Sequence, residues 1–258
     1  MNGLMLHCGG QLKTREEVCA VPVPRATTTY APLPYESFLT RIEKQLAVEG
    51  MRIKEERLAL ANEGQRLFGL LALEMPGFPQ AEYGSVLGLR TSYDKSFSTG
   101  VCIGASVFVC DNLSFRGEIT FARKHTPNAL RDLSWLLAET IAQLPTRFIK
   151  QSNTFEEYKR TEIMDEEAHH LIIRMLDRRA VNVTDIPHLL REWRTPQHPE
   201  FVVNGKTLWR LFNAATETVK GDLWRLPART TAIHELLDEV CGVEADAANK
   251  QEIMEVTA

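Results

Sequence analysis

The chain has 258 residues, 44% of them hydrophobic and 25% charged, and a net charge of −4. This composition excludes wholesale disorder or a fibrous repeat, and the longest apolar stretch, around Leu67 to Met75, falls far short of the ~20 residues of a membrane helix. The five cysteines, Cys8, Cys19, Cys102, Cys110 and Cys241, are scattered without a Cys-x-x-Cys pair, so neither a disulfide framework nor a zinc cage is expected.

The run Leu4 to Leu6 is too short for the apolar part of a signal peptide, so a cytoplasmic protein with no membrane association is expected. The charge is uneven. From Glu235 onward seven carboxylates face only Lys250, which gives this end −6 and leaves +2 for the rest of a chain of net −4. A mildly basic body permits local cationic patches without announcing a nucleic-acid partner.

In chain order, residues 1–33 contain Pro22, Pro24 and Pro32, and Pro34 follows directly. Proline removes backbone donors and extends its predecessor, so a flexible arm without regular structure is expected. From Pro34 to Glu49, Tyr35, Phe38, Leu39, Ile42 and Leu46 recur at spacings of three and four, and Gly50 follows; this is an amphipathic helix with its terminator. Met51 to Ala61 and Arg66 to Glu74 flank Asn62-Glu63-Gly64-Gln65 and predict a hairpin. Further strands are expected over Gly84 to Thr91, Thr99 to Cys110 and Ser114 to Arg123. Val101, Ile103, Ala105, Val107 and Val109 share one parity, which marks the buried face.

Thr126-Pro127 suits a helix start, and a helical stretch to Pro145 leads into a second, from Thr154 to Arg178. An irregular region from Val181 to Gly205 precedes helices over Lys206 to Lys220 and Pro227 to Val240. Strands first and helices later indicate an α+β fold, an antiparallel β-meander packed on a long helix and followed by a C-terminal helical segment. The expected organisation is an arm (1–33), an α+β core (34–180), a helical subdomain (181–242) and an acidic tail (243–258).

Two motifs carry a resemblance. Ser92-Tyr93-Asp94-Lys95-Ser96 fits a Ser-x-Asp-x-Ser turn, and Phe108-Val109-Cys110-Asp111-Asn112 fits an apolar-Cys-x-Asn strand end. In these, and more weakly in Arg66 to Gly69 and Asn204 to Gly221, the chain resembles the phage/plasmid-like proteins of domain of unknown function nine-three-two. Tyr93 and Lys95 stand where that family often has histidine and glycine. The resemblance implies a setting in prophages, plasmids or integrated elements, and no particular activity.

Three constellations are candidates for chemistry. Ser92, Asp94 and Ser96 either form a polar cup for a ligand or close Asx and Ser turns against their own backbone, and these residue types at a hairpin tip favour the turn. Glu162, Glu166 and His170 are spaced by four, as metal ligands on one helical face would be, but no second Glu-x-x-His supplies the facing ligands, so Glu166 and His170 remain weak metal candidates beside a solvated face. Arg116, Arg123, Lys124, His125 and Arg131, with Tyr93 and Phe97 nearby, combine cations that track phosphates with rings that stack on bases. The competing role of these cations is to decorate a sheet edge. Cys110, in an apolar strand, reads as a small core residue. No cofactor motif occurs.

The leading expectation is therefore a non-catalytic accessory protein of mobile-element DNA metabolism that binds or anneals single-stranded DNA. A meander feeding a long helix is also similar to the core of single-strand annealing proteins of the Rad-fifty-two type, at the level of fold alone. The alternatives are a module that binds a host or element-encoded protein through exposed segments around Trp193, Trp209 and Trp224, and a metal-dependent enzyme using Asp94, Glu166 and His170. An oligomer is compatible with each.

Overall fold

Alternation of apolar side chains builds an antiparallel sheet, and three- and four-residue spacing builds the helices, so that the computed structural model is α+β as expected. It describes residues 10–75, 83–107, 112–115, 121–203, 205–220 and 225–242. Met1–Ser106 with Ile119–Thr146 form one compact unit, and Val107–Glu118 with Arg147–Ala258 form another. This grouping joins the helices on either side of residue 180.

The first unit opens with strand β1 (Gln11–Lys13) and helix α1 (Arg15–Cys19). The expectation of no regular structure before Pro34 is corrected here. β1 pairs antiparallel with the second strand, Gln11 opposite Leu60. The Thr14 hydroxyl accepts from Glu17 N–H while the Glu17 carboxylate accepts from Thr14 N–H at 2.8 Å, a reciprocal cap that starts α1. Val18 is fully buried. Between Val21 and Pro34 the prolines have their expected effect, and no helix or strand forms.

Helix α2 (Tyr35–Val48) buries the predicted stripe of Tyr35, Phe38, Leu39, Ile42 and Leu46. Its end follows from Gly50, which adopts φ 72°. Gly50 N–H then bonds Ala47 O at 3.1 Å and Met51 N–H bonds Leu46 O at 2.9 Å, which satisfies the last carbonyls. Strands β2 (Arg52–Ala61) and β3 (Arg66–Glu74) form the predicted hairpin, with Leu60 opposite Leu67. β4 (Tyr83–Ser92) pairs with β3, and β5 (Thr99–Val107) follows it in the sheet. Leu58, Gly69 and Leu89 are aligned across three strands. A Cβ on Gly69 would lie 2.8 Å from Leu89 and 2.9 Å from Leu58, so only glycine lets the two leucines close over that point.

The strand expected over Ser114 to Arg123 is instead two pieces, β6 (Asn112–Phe115) and β7 (Phe121–Arg123), and β7 pairs with β5, Arg123 opposite Thr99. Helix α3 (Pro127–Ala142) starts at the predicted proline, turns Leu133, Leu137 and Ile141 inward and packs beside α2.

Helix α4 (Leu144–Arg160) leads into the second unit, which also holds α5 (Asp165–Asp177), α6 (Ile186–Arg194), α7 (Glu200–Val203), α8 (Leu208–Val219) and α9 (Leu226–Cys241). The continuous helix expected from Thr154 to Arg178 is broken between Arg160 and Asp165. There Ile163 N–H bonds Lys206 O and Leu208 N–H bonds Thr161 O, each at 2.9 Å, a two-bond bridge that outcompetes the helical ladder. The core is aromatic: Phe155 and Tyr158 of α4 meet Trp209 and Phe212 of α8 and His234 of α9. Two buried arginines close helix ends and turns. Arg210 Nε donates to Trp193 O at 2.8 Å and its Nη2 to Arg194 O at 2.9 Å, and Arg229 Nε donates to Ala180 O at 2.7 Å. A guanidinium bonded in this way can be buried without stranding its donors.

Candidate functional site

The Ser-x-Asp-x-Ser motif begins at the last residue of β4 and meets the β2–β3 turn, where Asn62, Glu63 and Gly64 all take positive φ. The Ser92 and Asp94 side chains both have structural partners here. Ser92 Oγ donates to Phe97 O at 2.9 Å and accepts from Phe97 N–H at 3.3 Å, so one hydroxyl spans the loop. Asp94 Oδ1 accepts from Ser96 N–H at 3.0 Å, an Asx turn. Asp94 Oδ2 accepts from Arg66 Nε at 2.6 Å and Asn62 Nδ2 at 2.9 Å, tying the two turns together. Burial alone would push this carboxyl up, but the hydrogen bonds from Ser96, Arg66 and Asn62 outweigh it and hold the group well below the usual carboxylate range. The turn-closing role is thus the one the geometry supports.

One prediction follows from that pairing. Asp94→Asn removes charge-assisted bonds and is expected to cost ~1–3 kcal/mol at neutral pH. A carboxyl depressed on folding contributes in full above its unfolded value of ~3.9 and loses that contribution as pH falls through the folded value. Urea midpoints of the wild type and Asp94→Asn should therefore separate at pH 7 and converge in strong acid. Coincident midpoints at pH 7 would show that the turn holds without the carboxylate.

Tyr93 was expected to offer a ring to a base, and the structure corrects this. The residue is buried, and its ring stacks on Tyr35 with centroids 4.1 Å apart and planes 2° from parallel. Its hydroxyl accepts from Tyr35 N–H at 3.1 Å, which caps the start of α2, and its carbonyl accepts from Tyr30 Oη at 2.8 Å. Burial pushes the Tyr93 hydroxyl up to about 12. Lys95, at φ 62°, places its Nζ 4.3 Å from the Tyr30 ring centroid, so the lysine in this motif is engaged in a cation–π contact. Phe97 is half-buried, with the Phe68 ring at 5.3 Å and the Arg90 guanidinium at 5.4 Å.

The expected cations separate into groups. Lys124 is exposed, and Arg131 on α3 is 77% exposed beside Asp132, 3.1 Å away. His125 is buried, and burial pulls its imidazole down although its bond to the Phe97 backbone opposes this. Arg116 and Cys110 lie outside the described residues. Arg123 and Asn112 are placed by their backbone at the end of β7 and the start of β6.

At the head of α3, Thr126 has the extended backbone of a cap, but its side chain makes no capping bond. Sequence reasoning passed over Trp135, two turns further along this helix and 64% exposed. Its signal was there in the spacing, because Asn128, Arg131 and Trp135 stand at i, i+3 and i+7, off the apolar stripe.

In the second unit, Glu166 and His170 are exposed on α5, while Glu162 lies in the break before that helix and cannot share its face. No group of three or more histidine, cysteine, aspartate or glutamate side chains fit to hold a metal occurs among the described residues. Trp193 and Trp209, expected as exposed anchors, are fully buried, and Trp224 lies outside the described residues. Among the described cysteines, Cys19, Cys102 and Cys241 are free, and desolvation pushes the Cys102 thiol up to about 12.

The fold and its interlocked turns define an α+β protein in which the Ser92 and Asp94 side chains close loops. The family described as a domain of unknown function, DUF932, matches residues 25–236, and the chain belongs to that family. No curated protein and no solved structure matches the chain. No helix among the described residues is long and apolar enough to cross a membrane.

Proposed function

We propose that this protein is a non-catalytic accessory factor of mobile-element DNA metabolism that binds or anneals single-stranded DNA. The observation that carries the reading is the exposure of Lys124 and Arg131 at the head of α3, next to first-turn N–H groups that the Thr126 side chain does not cap. A helix start with cations beside it favours phosphate. Arg116 and Arg123 enter this reading from the sequence alone. The interaction-module alternative loses Trp193 and Trp209 as anchors, and the metal-enzyme alternative loses Asp94, which is engaged by Arg66, Asn62 and Ser96.

The test is anisotropy of a labelled oligothymidine over a range of salt. Binding should weaken linearly in log–log form as salt rises, and replacing both Lys124 and Arg131 by alanine should reduce the magnitude of the slope by about 0.7 per lost contact. Undetectable binding of the wild type at low salt would end this reading.

A further inference from the structure

An exposed tryptophan is costly to leave in water, because indole has the largest apolar surface of any side chain and gains most from burial. This chain buries Trp193 and Trp209 completely yet leaves Trp135 64% exposed in the middle of a well-formed helix. Its surroundings are cationic. Arg131 lies one turn before it on the same face, and Asn128 one turn before that, so the stripe from Asn128 to Trp135 spans about 10 Å at 1.5 Å per residue. From α2, Arg41 Nη1 donates to Ser134 Oγ, which brings a second guanidinium to the residue adjoining Trp135. Neither Arg41 nor Lys124 has a carboxylate partner among the described residues. The acidic groups on this helix are Asp132, which engages Arg131, and Glu139, exposed one turn beyond Trp135. Arg131 is exposed and Asp132 half-buried, and an ion pair with one partner in solvent is weak, so a phosphate can compete for the guanidinium.

We infer that Trp135 is the base-stacking residue of this surface and that its ligand is an unpaired base, flanked by phosphates held by Arg131, Arg41 and Lys124. An aromatic face between cations matches a single strand, because every base has a π-face and each nucleotide brings a phosphate. In a duplex the π-faces are occupied by neighbouring base pairs, so Trp135 discriminates single strands from duplex while the cations do not. The inference rests on the proposed single-strand reading and replaces Tyr93, which is stacked on Tyr35 inside the protein, as the residue that reads bases.

The experiment compares the wild type, Trp135→Ala, Trp135→Phe and the Lys124→Ala/Arg131→Ala double variant, each with oligothymidine and with a duplex of equal length. Trp135→Ala should weaken oligothymidine binding by about 5- to 150-fold, the effect of one lost stacked base. Its salt slope and duplex affinity should stay as in the wild type. Trp135→Phe should recover most of the loss, and the double variant should flatten the salt slope for both ligands. Wild-type binding that Trp135→Ala leaves unchanged would overturn the stacking role and leave the proposed function standing. Equal loss on duplex and single strand would also overturn it, since the indole would then be serving a surface shared by both. Failure of the wild type to bind oligothymidine at low salt would remove the reading and the inference together. Because Trp135 is exposed, unchanged melting of the variants serves as the control on folding.

Discussion

Deletion of residues 1–30 should lower the stability of the first unit by about 3–5 kcal/mol, read as a clear fall in the urea midpoint. The deleted segment contributes a fully buried Val18 and a buried Tyr30, and fully burying one such side chain is worth ~1.5–3 kcal/mol. It also contributes the β1 ladder on β2 and the Tyr30 hydroxyl that donates to Tyr93 O. Arg15 adds ion pairs to Glu43 at 2.7 Å and to Glu56 at 3.1 Å, linking α1 to α2 and β2, although at the surface these are worth little. The entropy of ordering some twenty residues offsets part of the total. A midpoint within error of the full chain would show that β1 and α1 dock without stabilising the sheet. The single variant Tyr30→Phe isolates one element of this: it keeps the ring and removes the bond to Tyr93 O.

Tyr158→Phe should destabilise the second unit by ~1–3 kcal/mol, the cost of withdrawing a partner from buried polar groups. The Tyr158 hydroxyl lies 2.6 Å from Asp238 Oδ1 and 3.2 Å from His234 Nδ1, and all three residues are buried. The shorter contact assigns the phenolic proton to Asp238, and His234 Nδ1–H then donates to the phenol oxygen. His234 and Asp238 stand four residues apart on α9, so one hydroxyl from α4 serves both and pins the two helices. Phenylalanine keeps the ring contacts with Phe155 and Phe212, which makes the loss specific to the hydroxyl. An unchanged urea midpoint would mean that Asp238 and His234 are satisfied without it.

Several elements were legible because their causes are local. The stripe from Tyr35 to Leu46, the Gly50 terminator, the Asn62–Gln65 turn and the start at Pro127 each depend on residues within one or two turns of each other. The turn role of Asp94 was readable for the same reason, since its Asx bond to Ser96 spans two residues. The bonds from Arg66 and Asn62 reach across 28 and 32 residues and were not.

By itself the sequence determined the α+β class, the main helix and hairpin boundaries and the family. Which surfaces are free was decided by tertiary structure. Tyr93 and Trp135 are both aromatic residues beside charged ones, and no local pattern separates them. Tyr93 is enclosed because Tyr35, 58 residues earlier, supplies a ring to stack on and an N–H to bond, whereas Trp135 is 64% exposed on α3. The helix break after Arg160 has the same origin, because it requires the carbonyl of Lys206 and the N–H of Leu208. Periodicity is written between near neighbours and can be read along the chain; burial of a particular ring depends on a partner that only folding brings to it.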